Sequence, residues 1–248
     1  MYEYYRYLKS DIYKLWHSWF FAVHLIFPVL GAALMLLDSY LSSSDELNKL
    51  AAFAQLIAIA FPFEISVVCQ IVAEQELHAG HFQNMLTLPS RQNAIFSKFA
   101  ILLISGLFSV TLSTVLFGVL FSYFTGTKLP VGFFIFIPIV LWASNVMMYG
   151  LHLILAFRFG KNLGISIGVI GSLLSALFQT GLGDGRWYVI PYGLGIRFAD
   201  NTLIYIFHLP SMINAEIHIG IFFCTVVTCG IIELVIFWFS RYGGISSE

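Results

Sequence analysis

Between two long apolar runs the chain carries EQELHAGHFQNMLTLPSRQNAIFSK, from Glu74 to Lys98, with two glutamates, two histidines, an arginine and a lysine, broken by Gly80 and Pro89. Glu74, Glu76, His78 and His81 stand close enough on one helix to raise metal binding. Zinc proteases use H-E-x-x-H, which places two histidines on one helix face with the glutamate beside the first. Here His78 and His81 are one residue closer, and Gly80 between them weakens the helix. The group therefore reads as a solvated face, and no metal is expected. A phosphate-cradling loop needs G-x-x-x-x-G-K-[ST] so that backbone amides and lysine face the phosphates. Gly160-Lys161-Asn162 lacks the earlier glycine and the hydroxyl, so the chain is expected to bind no nucleotide by that route. Serine-nucleophile motifs are absent as well, and no catalytic residue is assigned.

Composition sets what must position these groups. The chain is 59% hydrophobic and 10% charged, against roughly 25% charged in an average soluble domain. That difference predicts an all-α polytopic membrane protein, a single membrane domain over residues 1–248. A net charge of -1 gives no sign of a nucleic-acid surface. Cys69, Cys224 and Cys229 all lie in apolar runs and read as small packing residues.

A hydrocarbon core of about 30 Å takes roughly twenty helical residues. Six runs qualify: Trp19 to Leu37, Ala51 to Ala73, Phe99 to Phe124, Val131 to Phe157, Leu163 to Thr180 and His218 to Phe239. The leader, residues 1–18, is amphipathic. At about 100° per residue, Tyr5, Leu8, Ile12, Leu15, Trp16 and Trp19 share one arc, with Glu3, Arg6, Ser10 and Lys14 opposite. A helix with that pattern suits the membrane interface. Placing both termini in the cytoplasm puts eight Lys and Arg residues inside and four outside, the sense that the positive-inside rule favours. Segment 74–98 is then cytoplasmic. Segment 181–217, whose apolar pieces WYVIPYGLGI and LIYIFHL are too short to span, is external and is expected to be a re-entrant or interfacial helical pair.

Polar residues within the spans form a second group of candidates. Glu64 and Glu233 lie too deep to be interfacial, and a central carboxylate costs at least a few kcal/mol when ionised unless it is paired or faces a polar cavity. His24, Asn145 and His152 are candidate partners. Gly164, Gly168 and Ser172 repeat at intervals of four, the spacing that lets helix backbones approach closely. Such an approach can serve one chain or a dimer.

The order of features resembles the six-span permeases of type-2 ABC exporters: an interfacial leader, two spans, an E-x-E-x-x-x-G segment ending in L-x-x-P-S-R and a lysine, three more spans, a re-entrant outer segment and a last span. The resemblance implies that 74–98 is a coupling helix docking on an ATPase, with Glu74, Glu76, Gly80, Leu86, Pro89, Arg91 and Lys98 in the transmission element. The leader KSDIYKLWHSWFFAVHLIFPVLGAALM looks like the opening of lantibiotic self-protection permeases, with Asp11 where glutamate is more usual. That narrower likeness implies two copies of a cytosolic ABC ATPase holding ATP and Mg, a second permease (identical or paralogous), and a bacterial plasma membrane. The cargo would be an amphipathic lantibiotic-like peptide met by Trp187, Tyr188 and Tyr192. Bacitracin or drug exporter permeases look similar. A proton-coupled secondary transporter relaying through Glu64 and Glu233 is the main alternative, and an intramembrane metalloenzyme a weaker one.

Overall fold

The computed structural model of the chain describes residues 2–88, 90–209 and 215–243. Every regular element among them is helical, as expected of a backbone that must satisfy its own amides and carbonyls in hydrocarbon. The helices are α1 (Tyr2–Trp16), α2 (Phe20–Leu41), α3 (Glu46–His78), α4 (Gln83–Leu86), α5 (Arg91–Thr125), α6 (Val131–Ser144), α7 (Val146–Phe159), α8 (Lys161–Gln179), α9 (Pro191–Ile206) and α10 (Ile217–Arg241). Helices α2, α3, α5, α8 and α10 are each long and apolar enough to cross a membrane, and the pair α6 and α7 makes a sixth crossing if taken as one span.

That pair departs from the single continuous fourth span expected from hydropathy. It bends by 40° at Asn145, and the cause is local. The Asn145 side-chain amide donates to the Leu141 carbonyl at 2.8 Å, while its main-chain amide reaches the Trp142 carbonyl at 3.1 Å. The side chain takes the acceptor that a regular helix reserves for the backbone, and the last turn tightens.

Helix α3 is the centre of the bundle, with 67% of its apolar window buried against 11% for α10, and it contacts α2, α5, α7, α8 and α9. Phe53 of α3 stacks on Phe117 of α5 with centroids 4.0 Å apart. Helices α3 and α5 have 33 and 35 residues, so at about 1.5 Å per residue each is roughly 50 Å long and outreaches the ~30 Å hydrocarbon core. Their ends can therefore carry polar apparatus clear of the spans.

The small-residue stripe of α8 is used within the chain. A Cβ on Gly168 would overlap the Ser66 side chain of α3, and one on Gly164 would lie 3.2 Å from Gln70 Oε1. Ser172 is half-buried beside them, and the Ser175 hydroxyl donates to the Ala58 carbonyl of α3 at 3.4 Å. Gly168→Val is expected to force α3 and α8 apart and to destabilise by about 1–3 kcal/mol, as overpacking does, read as a lower unfolding temperature in detergent. Gly181→Ala, with only the Asp184 carboxylate at 3.8 Å from the new Cβ, serves as the neutral control.

In the segment from Gly181 a 3₁₀ turn at Gly181–Gly183 leads to α9, the one α-helix before α10 among the described residues. Pro191 occupies its first turn, where a missing amide hydrogen is no loss, and the start of LIYIFHL forms its last turns. Residues 210–214 lie outside the described residues. Helix α9 packs against α3, α6 and α8, which gives short apolar pieces the protein surroundings they need.

Candidate coupling site

The last turn of α3 carries its two glutamates in different directions. Glu74 is part-exposed, with Lys161 Nζ 3.4 Å away. Glu76 points inward and is only 2% exposed. Its Oε1 accepts from Lys98 Nζ of α5 at 2.7 Å and from Lys14 Nζ of α1 at 2.9 Å. Lys98, also 2% exposed, donates again to Asp11 Oδ1 of α1 at 2.7 Å. The second oxygen of Asp11 accepts from the Ser97 hydroxyl at 2.7 Å. Two carboxylates and two ammonium groups thus form a neutral cluster in which every bond is charge-assisted and short. Lys14 is the member with substantial solvent access, at 31%. Tyr7, Ser10, Met85, Leu88 and Ala94 complete the wall of a 230 Å³ cavity around the cluster, so the ions lie beneath the α3–α5 connection.

Glu76, expected in the transmission element, is buried where α3 meets α1 and α5. Its Oε1 ties the end of α3 to both α1 and α5. Asp11, standing where the resemblance makes glutamate more usual, is a cornerstone of the cluster. A signal was present in the leader: at about 100° per residue, Asp11 falls beside Leu8 and Leu15, at the edge of the apolar arc where an unpaired carboxylate has no place. The buried face of α1 carries Asp11 and Leu15, whereas Tyr5, Ile12, Trp16 and Trp19 are exposed. Lys14, expected on the solvated face, turns to Glu76.

The connection itself is a hook. Gly80, His81 and Phe82 have φ of 120°, 52° and 67° in succession. The His81 amide donates to the Leu77 carbonyl at 2.8 Å and the Phe82 amide to the Glu76 carbonyl at 3.1 Å, which satisfies two carbonyls at the end of α3. Phe82 tolerates its left-handed backbone because its ring is buried, 5.4 Å from Phe157 and 5.8 Å from Tyr242 between centroids. The Tyr242 hydroxyl donates to the Phe157 carbonyl at 3.1 Å, and burial pushes its pKa up to about 12. Arg91 Nη1 donates to the Tyr242 carbonyl at 3.2 Å. A single turn, α4, follows and closes at Leu86. Pro89 lies outside the described residues. Ser90 then caps α5, accepting from the Asn93 amide at 3.2 Å. The hook is therefore fixed on one side by ions and on the other by aromatic rings, and it leaves His78, Gly80, His81, Gln83 and Thr87 exposed. Gly80→Ala is expected to destabilise by about 1–2 kcal/mol, the penalty of a Cβ at positive φ, and to raise protease cleavage between α3 and α5.

The remaining candidates fall elsewhere. Glu64 is buried and accepts from the Ser109 hydroxyl at 2.6 Å. Glu233 is exposed on α10. Neither histidine pairs with a glutamate. His24 Nδ1 is 2.8 Å from the Phe20 carbonyl, and His152 Nε2 is 3.2 Å from the Tyr192 hydroxyl. That bond turns Tyr192 inward. Trp187 is fully buried, its indole N–H donating to Glu216 Oε2 at 2.9 Å and its ring edge-on to Phe198. Trp187 is thus a structural anchor, whereas Tyr188 and Tyr192 are both half-buried, Tyr188 beside Phe223. Among the described residues no group of His, Cys, Asp and Glu is placed to hold a metal.

No curated protein and no solved structure matches the chain. The family described as ABC-2 family transporter protein matches residues 8–177, well over half of the 248 residues and inclusive of α2 to α7, the hook and the ionic cluster. With its apolar crossing helices and this match, the chain belongs to the ABC-2 transporter family, as a multi-pass membrane permease that partners an ABC ATPase subunit.

Proposed function

We propose that the hook at residues 79–90 is the seat of the ATPase, and that the Asp11–Lys98–Glu76 cluster passes its displacement to α1 and α5. The observation that carries this reading is the pairing of an exposed polar hook with a buried ionic brace directly beneath it. A rigid connection transmits a push, whereas a loose one absorbs it. In this reading two copies of a cytosolic ATPase, which hold ATP and Mg, serve this permease and a second one, identical or paralogous. Both termini face the cytoplasm of a bacterium, and the cargo is an amphipathic cationic peptide of the lantibiotic kind, expelled from the plasma membrane to protect the producing cell. The leader's likeness to self-protection permeases supports the cargo.

The test is co-purification of the tagged chain from its native host in mild detergent. The ATPase is expected to accompany it and to be lost in His78→Glu/Gln83→Glu, whose exposed positions leave the fold intact. Retention of the ATPase by that variant would move docking away from the hook. A wild-type chain recovered without any ATPase would instead favour proton-coupled transport, with Glu64 as the first residue to replace.

A further inference from the structure

Glu64 has a setting that the coupling mechanism does not use. It lies in the middle of α3, 6% exposed, on the wall of a 220 Å³ crevice between α2, α3 and α5. The crevice is otherwise apolar, with Phe27 and Leu34 of α2 and Ala60 and Phe61 of α3 beside it, and Ser109 of α5 at its inner wall. Among the residues that line it, Glu64 is the one ionisable group. A carboxylate has roughly four lone-pair sites for hydrogen bonds, and the Ser109 hydroxyl occupies one of them. One turn before Pro28, which also lines the crevice, His24 is 2% exposed and its Nε2 has no partner among the described residues. An ionised carboxylate at this depth is costly unless paired, so a cation entering the crevice would supply the partner that the lining residues do not. The opening is bordered by Leu34, which is 56% exposed on the outer face of α2. Its volume is below the ~300–1,000 Å³ of pockets that enclose whole drug-sized ligands, so a single side chain or alkyl stem fits and a folded peptide does not.

We propose that this crevice is a lateral binding site for a primary ammonium group on an apolar stem, with Glu64 as the anion that receives it and the α2–α3 wall as the sheath of the stem. A lysine side chain of a membrane-inserted peptide and the head of a fatty amine share this chemistry. The site deepens the export reading and rests on it for the use made of the bound group.

The test is labelling of the full chain in its native membranes with dicyclohexylcarbodiimide, which reacts with carboxyl groups in apolar surroundings, read at Glu64 and at Glu233 by peptide mass spectrometry. Dodecylamine at ten times its dissociation constant is expected to slow labelling of Glu64 by about tenfold through simple occupancy, to leave Glu233 unchanged, and to protect far less in Leu34→Trp, where the indole fills the mouth. Dodecanol, with the same stem and no ammonium, is expected not to protect. A single-lysine Leu/Ala helix and its norleucine analogue separate the two sources: protection by the lysine peptide assigns the site to a peptide side chain, and protection by dodecylamine alone assigns it to a small amphiphile. Equal protection by dodecanol, equal slowing at Glu233, unchanged protection in Leu34→Trp, or a Glu64 that does not label while Glu233 does would each overturn the site. None of these results alters ATPase co-purification, so failure here and failure of the export reading are read on different measurements.

Discussion

Lys98→Met is expected to lose about 3–5 kcal/mol of stability, the usual consequence of removing one partner from a buried ionic group. The size follows from what is left behind. Asp11 and Glu76 are 6% and 2% exposed, and without the ammonium between them two carboxylates face each other across a small cavity. Lys14 still reaches Glu76, but no other ammonium is paired with Asp11 among the described residues. Loss should appear as a sharp fall in membrane abundance and in the unfolding temperature of the detergent-solubilised chain. The triple variant Lys98→Met/Asp11→Asn/Glu76→Gln removes the charges together and is expected to recover most of the stability, because Lys14 can turn to solvent on its flexible stem. Recovery of stability without recovery of ATP-driven transport would separate the brace from the fold. A single Lys98→Met chain as stable as wild type would show that the cluster bears no load. The same geometry forecasts that Glu76→Lys unfolds this end of the bundle by assembling three cations around Asp11, rather than merely reversing a docking charge.

Trp187→Ala is expected to cost a further 3–5 kcal/mol, the range for deleting a large buried aromatic side chain. The indole is fully enclosed, lies edge-on to Phe198 with centroids 5.5 Å apart, and fills the space that Gly220 leaves on α10. Its removal also takes from Glu216 the N–H that donates to it at 2.9 Å. Trp187→Phe keeps most of the packing and loses the bond, so a smaller loss of about 1.5–3 kcal/mol is expected, the range for a hydrogen bond to a charged group. Thermal unfolding of the three proteins in one detergent gives the comparison. The outcome also decides what a cargo assay means at this position: any fall in peptide protection by Trp187→Ala must scale with lost protein, whereas a contact residue would lower protection at equal abundance. Tyr188 and Tyr192, both half-buried, are the aromatics of this segment at which the second pattern is to be sought.

Several properties were fixed by local chemistry and were legible in the residues. Six apolar runs flanked by polar connections predict the crossing helices, because hydrocarbon thickness sets their length. Gly80 marks the hook because only glycine reaches its φ without strain. The spacing of Gly164 and Gly168 announces a close helix approach, because a missing Cβ is a property of the residue itself. The aromatic leader likewise declares an amphipathic helix. What the chain alone could not disclose is which polar groups meet. Asp11, Glu76 and Lys98 are separated by 65 and 22 positions, and nothing local distinguishes an acid that docks on a partner from one that holds two helices together. The same holds for Trp187, whose type suits a cargo surface as well as a buried anchor, and for Glu64 and Glu233, equally deep in their helices yet one enclosed and the other exposed. Burial depends on which helix faces lie against one another, and that is a relation among distant segments. Periodicity and composition describe each segment by itself, so they fix the elements and leave the pairing to the tertiary structure.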